Sequence, residues 1–147
     1  MSIYNHYSIM LRANWQLLCG AIAGPLFVTL FLLQGALWID YNPLRHPVSS
    51  LSIGDFGWIQ MTSFVVLGLL LLMFAGGLRD EFKKQGGSKW APLFVGVIAI
   101  SFVGAGIFVA DPLSGYPVGS PGLPLERTAH GILHDLFSTG FFLGFPI

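Results

Sequence analysis

Three long stretches of the chain contain no charged residue and no histidine. They are Leu17–Ile39, Phe56–Leu78 and Trp90–Ala110, and they run 23, 23 and 21 residues. An α-helix rises about 1.5 Å per residue, so each stretch is long enough to cross the roughly 30 Å hydrocarbon core of a bilayer. The pattern therefore predicts three membrane-spanning helices.

A fourth apolar segment ends the sequence. Residues 130–147 are mostly apolar, but they are enough for a full span only if the histidines lie at the membrane edge. The expected fold class is all-α, a multi-spanning transmembrane helix bundle with three full spans and a partial or short fourth. Residues 1–16 are expected to form a leader and residues 17–147 a single membrane domain. Because the sequence stops inside an apolar run, a truncated protein is also expected.

Composition supports a membrane protein. Hydrophobic residues make up 54% of the chain and charged residues 10%, whereas soluble domains average about 25% charged. The formal net charge is zero, so no basic surface indicates a nucleic-acid partner, and membrane lipids are the expected partners. Cys19 is the only cysteine, which excludes an intrachain disulfide.

The Lys and Arg residues are unevenly distributed between the two sides of the membrane. The spans are joined by three connections, Asp40–Asp55, Arg79–Lys89 and Asp111–His130. The leader and the second connection contain five of these residues, Arg12, Arg79, Lys83, Lys84 and Lys89. The first and third connections contain two, Arg45 and Arg127. Cytoplasmic loops are enriched in these residues. We therefore predict a multi-pass protein of the cell membrane with a cytoplasmic N-terminus.

Small residues favour close helix packing. Gly20 and Gly24 form a GxxxG pattern in the first span, and the third span carries Gly96, Ser101, Gly104 and Gly106. Helices in a bilayer associate through such surfaces because small residues let their backbones approach. Packing within one chain is the favoured interpretation, and a homo-oligomer formed through these faces is the alternative.

Polar residues that can carry chemistry collect in the two long connections, which share the predicted extracytoplasmic side. His130 and His134 are four residues apart, so both project from one helix face. We expect His134 to lie within side-chain reach of Asp111 or His46. The candidate polar site consists of His46, Ser49, Asp111, His130, His134 and Asp135.

Three interpretations of this site stay open. Zinc held by His130, His134 and Asp111 would indicate a metal-dependent hydrolase with a lipid-like substrate, although the glutamate of the HExxH pattern is missing. Without a metal or other cofactor, the site would bind a lipid headgroup, a small molecule or a proton, using the near-neutral titration of histidine. The same residues would otherwise cap helices and tie loops together, with Thr128 capping the last helix. A nonenzymatic role is favoured.

Three ordered motifs resemble a known family. HPVSSLSIGDFGWIQ precedes the second span, GIFVADPLSGYPVGSPG follows the third, and TAHGILHD begins the last segment. In this order they resemble the bacterial membrane family catalogued as domain of unknown function 998. The resemblance implies a six-helix fold, a location in the bacterial inner membrane and no particular activity. It places the motif positions at His46, Pro47, Ser49, Asp111, Pro112, Gly131, His134 and Asp135.

Overall fold

A computed structural model of the protein describes residues 2–124 and 126–144, with side chains for residues 15–124 and 126–142. These ranges contain four α-helices and no strand, which confirms the all-α prediction. The helices are α1 (Ser2–Leu37), α2 (Gly57–Lys84), α3 (Trp90–Ile107) and α4 (Ala129–Gly144). A short 3-10 helix, Val48–Ser52, lies in the connection between α1 and α2.

Three of the described helices are long and apolar enough to cross a membrane. The spans are Trp15–Leu37, Gly57–Lys84 and Trp90–Ile107, so the three predicted spans are confirmed with shifted ends. The described part of α4 has 16 residues, fewer than the roughly 20 that a full span needs. The predicted fourth span extends to residue 147, and residues 145–147 lie outside the described part.

The predicted boundary between the leader and the first span is not a break in the helix. α1 begins at Ser2 and continues without interruption through the leader into the apolar stretch. No glycine or proline occurs in the leader, so nothing in its sequence ends a helix there. Pro25 is the proline within α1, and it lies well inside the span.

Glycines let α2 pack closely against both of its neighbours. A Cβ atom at Gly68 would lie 2.6 Å from a methyl of Val103, and one at Gly106 would lie 2.7 Å from a methyl of Val65. On the other side, a Cβ atom at Gly77 would lie 2.8 Å from Gln16 of α1. The backbones approach because these positions lack a side chain, which is the packing expected in a bilayer.

α4 also packs against α3 at positions that lack a side chain. The ring of Phe137 occupies the space that a side chain at Gly104 would fill, and Gly140 faces Ser101. The small residues of α3 therefore serve two neighbours, α2 and α4, within one chain. Gly104 and Gly106 thus pack within one chain as the sequence favoured, whereas Gly24 and Gly96 of the same patterns meet nothing within 4 Å. The homo-oligomer stays a prediction.

The two long connections lie at the same end of the bundle. We call this end, formed by residues 38–56, 108–124 and 126–128, the long-loop end, and we call residues 85–89 the short-turn end. Tyr41 and Tyr116 meet edge to face with ring centroids 5.9 Å apart, and both are buried. This contact joins the first connection to the third, so the two loops form one surface.

Candidate binding site

A cavity of about 120 Å³ opens at the long-loop end. A single water needs roughly 10–15 Å³ of such space, so the cavity has room for a small ligand. Its polar wall consists of Ser49, Ser50, Asp111, Arg127 and Asp135, and its apolar wall includes Leu113 and Leu123. Three residues of the predicted site, Ser49, Asp111 and Asp135, therefore come together here.

Asp111 fixes the loop that precedes α4. Its carboxylate accepts hydrogen bonds from the backbone N–H of Thr128 at 3.1 Å and from the Thr128 hydroxyl at 2.5 Å. The same hydroxyl accepts a hydrogen bond from the Gly131 N–H at 2.9 Å, which confirms Thr128 as the N-cap of α4. A Cβ atom at Gly131 would overlap the carboxylate, so glycine lets Asp111 reach the helix end.

The surroundings of Asp111 keep it ionised. Burial alone would raise the pKa of this carboxyl, but hydrogen bonds from Thr128 and Arg127 outweigh burial and lower the pKa below its ordinary value of 3.8. The charge also lies at the N-terminus of α4, where the helix dipole stabilises an anion. Asp111 is therefore a fixed negative charge in the wall of the cavity.

Arg127 connects the two carboxylates of the cavity. Its Nε donates to Asp111 at 3.1 Å, and its Nη2 donates to Asp135. The Asp111 side chain is only 7% exposed, whereas those of Arg127 and Asp135 are 44% and 59% exposed. One guanidinium between two carboxylates leaves one net negative charge, and the accessible part of that charge is on Asp135.

Sequence reasoning did not select Arg127 as a site residue. It was counted only as one of two cations on its membrane side, and Asp111 precedes it by 16 residues. The pairing depends on the path of the loop between α3 and α4, which the sequence does not determine. Composition alone could have indicated Arg127, because it is one of two cations on the side of the membrane that has several carboxylates.

The structure places His46 in the loop framework rather than in the cavity. Its Nδ1 accepts a hydrogen bond from the Asn42 N–H at 2.9 Å, and its backbone carbonyl accepts one from the Tyr41 hydroxyl at 3.2 Å. The imidazole also stacks obliquely on Tyr116, with centroids 5.3 Å apart. These contacts satisfy a buried histidine and hold the two connections together.

His134 is buried at the contact between α3 and α4. Its Nδ1 lies 3.0 Å from the carbonyl oxygen of Ala105 and 2.8 Å from that of Phe108, at the end of α3. Both partners are acceptors, so Nδ1 is the donor and carries the hydrogen. The hydrogen-bond partners of His134 are therefore carbonyls at the end of α3, and its expected approach to within side-chain reach of Asp111 or His46 stays a prediction.

His130 lies one turn before His134 and is exposed, with its ring edge-on to Phe108 at 5.7 Å. Within residues 2–124 and 126–144, no group of three His, Cys, Asp or Glu residues is close enough to hold a metal ion. The predicted ligands His130, His134 and Asp111 thus make separate contacts here. Zinc binding therefore stays a prediction, and no three-ligand cluster among the described side chains supports it.

Two glutamines inside the bundle have unpaired amide groups. Gln34 of α1 is 4% exposed and Gln60 of α2 is fully buried, and neither amide has a hydrogen-bond partner among the described residues. The hydroxyl of Ser63, one turn beyond Gln60, is also unpaired in this part of the chain. Buried amides without partners are costly in an apolar medium, so these positions oppose stability as they stand.

The three apolar spans and the polar cavity at one end of the bundle define a multi-pass α-helical membrane protein. Residues 21–147, most of the chain, match the family described as "Protein of unknown function (DUF998)". The protein belongs to this family, which confirms the resemblance of its three motifs. No curated protein and no solved structure matches the chain.

Proposed function

We propose that the protein binds a small amine-bearing polar group, such as an amine-containing lipid headgroup, in the cavity at the long-loop end. The observation that carries the proposal is Arg127 held between Asp111 and Asp135 in the cavity wall. The net negative charge favours a cationic ligand. Asp135 is the carboxylate that such a ligand would contact, since it is the more exposed of the two.

The position and the walls of the cavity support a lipid source for this amine. The cavity lies beside the end of α3, where the chain leaves the predicted membrane span, and Leu113 and Leu123 give it an apolar side. A headgroup at the membrane boundary would meet the carboxylate and the guanidinium, and the adjoining glycerol region would meet the leucines. A zwitterionic headgroup has an ammonium for Asp135 and a phosphate for Arg127.

Thermal unfolding of the purified protein in detergent tests the proposal. Free ethanolamine and dioctanoyl phosphatidylethanolamine are titrated separately, because a ligand that binds the folded state raises the unfolding temperature by mass action. Stabilisation by both probes indicates a site for the amine itself, and stabilisation by the lipid alone indicates that the acyl chains are required. Absence of stabilisation by either probe would contradict the proposal.

Asp135→Asn is the variant that addresses the site, and Asp55→Asn is its matched control. Asp55 is exposed at the same end of the bundle and does not line the cavity. We expect Asp135→Asn to weaken binding of the amine by up to about fivefold and Asp55→Asn to leave it unchanged, since an ion pair at an exposed carboxylate contributes up to about 1 kcal/mol. Equal binding by both variants would argue against this cavity.

A further inference from the structure

Towards the short-turn end, an open groove lies between α2 and α3. Near the other end they touch, because Gly68 faces the backbone of Ala99 and Gly106 faces Met61. Towards the short turn, two glycines on these helices lack such a contact. A Cβ atom at Gly96 would meet nothing within 4 Å, and one at Gly76 would meet only Gln16 of α1. The space between the helices measures about 430 Å³.

The groove is apolar along its length and positively charged at its mouth. Leu93, Val97 and Ile100 line its wall, and Arg79 and Lys89 lie where it reaches the short turn. Both cations are exposed, and the ion pairs between described side chains do not include either of them. The ammonium of Lys89 lies 5.8 Å from the centre of the Trp90 ring, which keeps it near the end of the predicted span.

We propose that this groove binds one anionic phospholipid, with a phosphate between Arg79 and Lys89 and an acyl chain along the glycine-lined wall. The charge pattern predicts that the short-turn end is cytoplasmic, and the cytoplasmic leaflet is the one enriched in anionic lipids. Two uncompensated cations beside an apolar groove match a molecule that has a negative head and a hydrocarbon tail. The site is separate from the amine-binding cavity, which lies at the opposite end of the bundle.

Native mass spectrometry of the purified protein in detergent measures this binding directly. Dioctanoyl phosphatidylglycerol and dioctanoyl phosphatidylcholine are titrated, and the bound lipids are counted at each concentration. We expect one phosphatidylglycerol to bind at least about fivefold more tightly than phosphatidylcholine, since each cation near a headgroup favours the anion by such a factor. Equal affinity for the two lipids would overturn the proposal.

Two variants separate a specific groove from general attraction to positive charge. Arg79→Gln with Lys89→Gln should weaken phosphatidylglycerol binding roughly 25-fold, whereas Lys83→Gln with Lys84→Gln removes the same charge outside the groove and should change it less than about twofold. An equal loss in the two double variants would overturn the proposal.

Gly96→Leu tests the acyl-chain part of the site. The added side chain enters open space, so it fills the groove without displacing a neighbour, and leucine favours a helix more than glycine does. We expect phosphatidylglycerol binding to fall while the helical circular dichroism is retained. Unchanged phosphatidylglycerol binding would overturn the proposal. A wild-type dimer that Gly96→Leu dissociates would also overturn it, because the groove would then hold a second copy of the chain.

Discussion

The Nε atom of Arg127 lies 3.1 Å from a carboxylate oxygen of Asp111, and this ion pair closes the loop between α3 and α4. The loop leaves one helix and returns beside it, so the pair fixes both the start of α4 and the wall of the cavity. The stability of the last helix and the proposed ligand binding at the long-loop end should therefore depend on the same two side chains.

Asp111→Asn should lower the free energy of unfolding by about 1.5–3 kcal/mol, because it removes the charge from a buried and hydrogen-bonded carboxylate. Thermal unfolding in detergent at neutral pH measures the loss. Asp55→Asn removes an exposed carboxylate at the same end and should have little effect. A similar loss in both variants would show that only total charge matters.

The same residue predicts a pH dependence. The pKa of Asp111 is lower in the folded protein than its ordinary value of 3.8, so the stabilisation is complete above that value and disappears as the pH falls through the folded pKa. The wild-type protein should therefore lose more stability than Asp111→Asn when the pH is lowered from about 5 to about 3. If the two proteins lose the same stability between these pH values, Asp111 is not the group responsible for the pH dependence.

His134→Ala should destabilise the protein by about 2–3 kcal/mol, because it removes the donor to the last carbonyls of α3 and leaves a void. His130→Ala is the control, since that histidine is exposed on the same helix. Thermal unfolding compares the two variants. Measuring the zinc content of both proteins tests the zinc alternative. That alternative requires bound zinc in the wild-type protein and a lower zinc content in His134→Ala.

Gly104→Ala should destabilise the packing of α4 by about 1–3 kcal/mol, because the new methyl group overlaps the ring of Phe137. Gly24→Ala adds the same methyl group where nothing lies within 4 Å, so it should be neutral or slightly stabilising. Unfolding temperatures of the two variants distinguish these outcomes. Combining Gly104→Ala with Phe137→Ala should relieve the overlap, and the two effects should then be less than additive.

Gln60→Leu should raise the stability by about 1–3 kcal/mol, because an unpaired buried amide is replaced by an apolar side chain of similar size. Unfolding of the variant and the wild-type protein in the same detergent provides the comparison. A loss of stability would show that the amide has a partner in the membrane.

Cysteine labelling tests the orientation in the membrane. Cysteine introduced at Ser120, in the long loop, should react with a membrane-impermeant thiol reagent from outside the cell, and cysteine at Gln85, in the short turn, should not. The native Cys19 is buried in α1 and provides a low background. The opposite labelling pattern would reverse the predicted topology.

The spans could be predicted because a bilayer requires long apolar runs, and these are visible without any tertiary contact. The helix ends were less predictable. α2 continues to Lys84 because Arg79, Glu81 and the residues around them are good helix formers, although they lie beyond the apolar run. Apolar length indicates where the membrane is, whereas local propensity determines where the helix ends.

The candidate site was predicted only in part. Asp111 and Asp135 were selected as outward carboxylates, but their link through Arg127 depends on how the loop folds back. His46 and His134 were selected by residue type, and the structure uses each for a buried hydrogen bond to the backbone. Residue type identified polar positions, but the choice between binding and structural roles required the three-dimensional path of the chain.

The unbroken course of α1 has a mechanical consequence. A helix of 36 residues is about 54 Å long, which exceeds the roughly 30 Å of hydrocarbon that it crosses. Much of the leader therefore stands as a rigid rod on one side of the membrane. A sideways force on the leader would therefore tilt the membrane-spanning part of the same helix, including Gln34, unless the helix bends at Pro25.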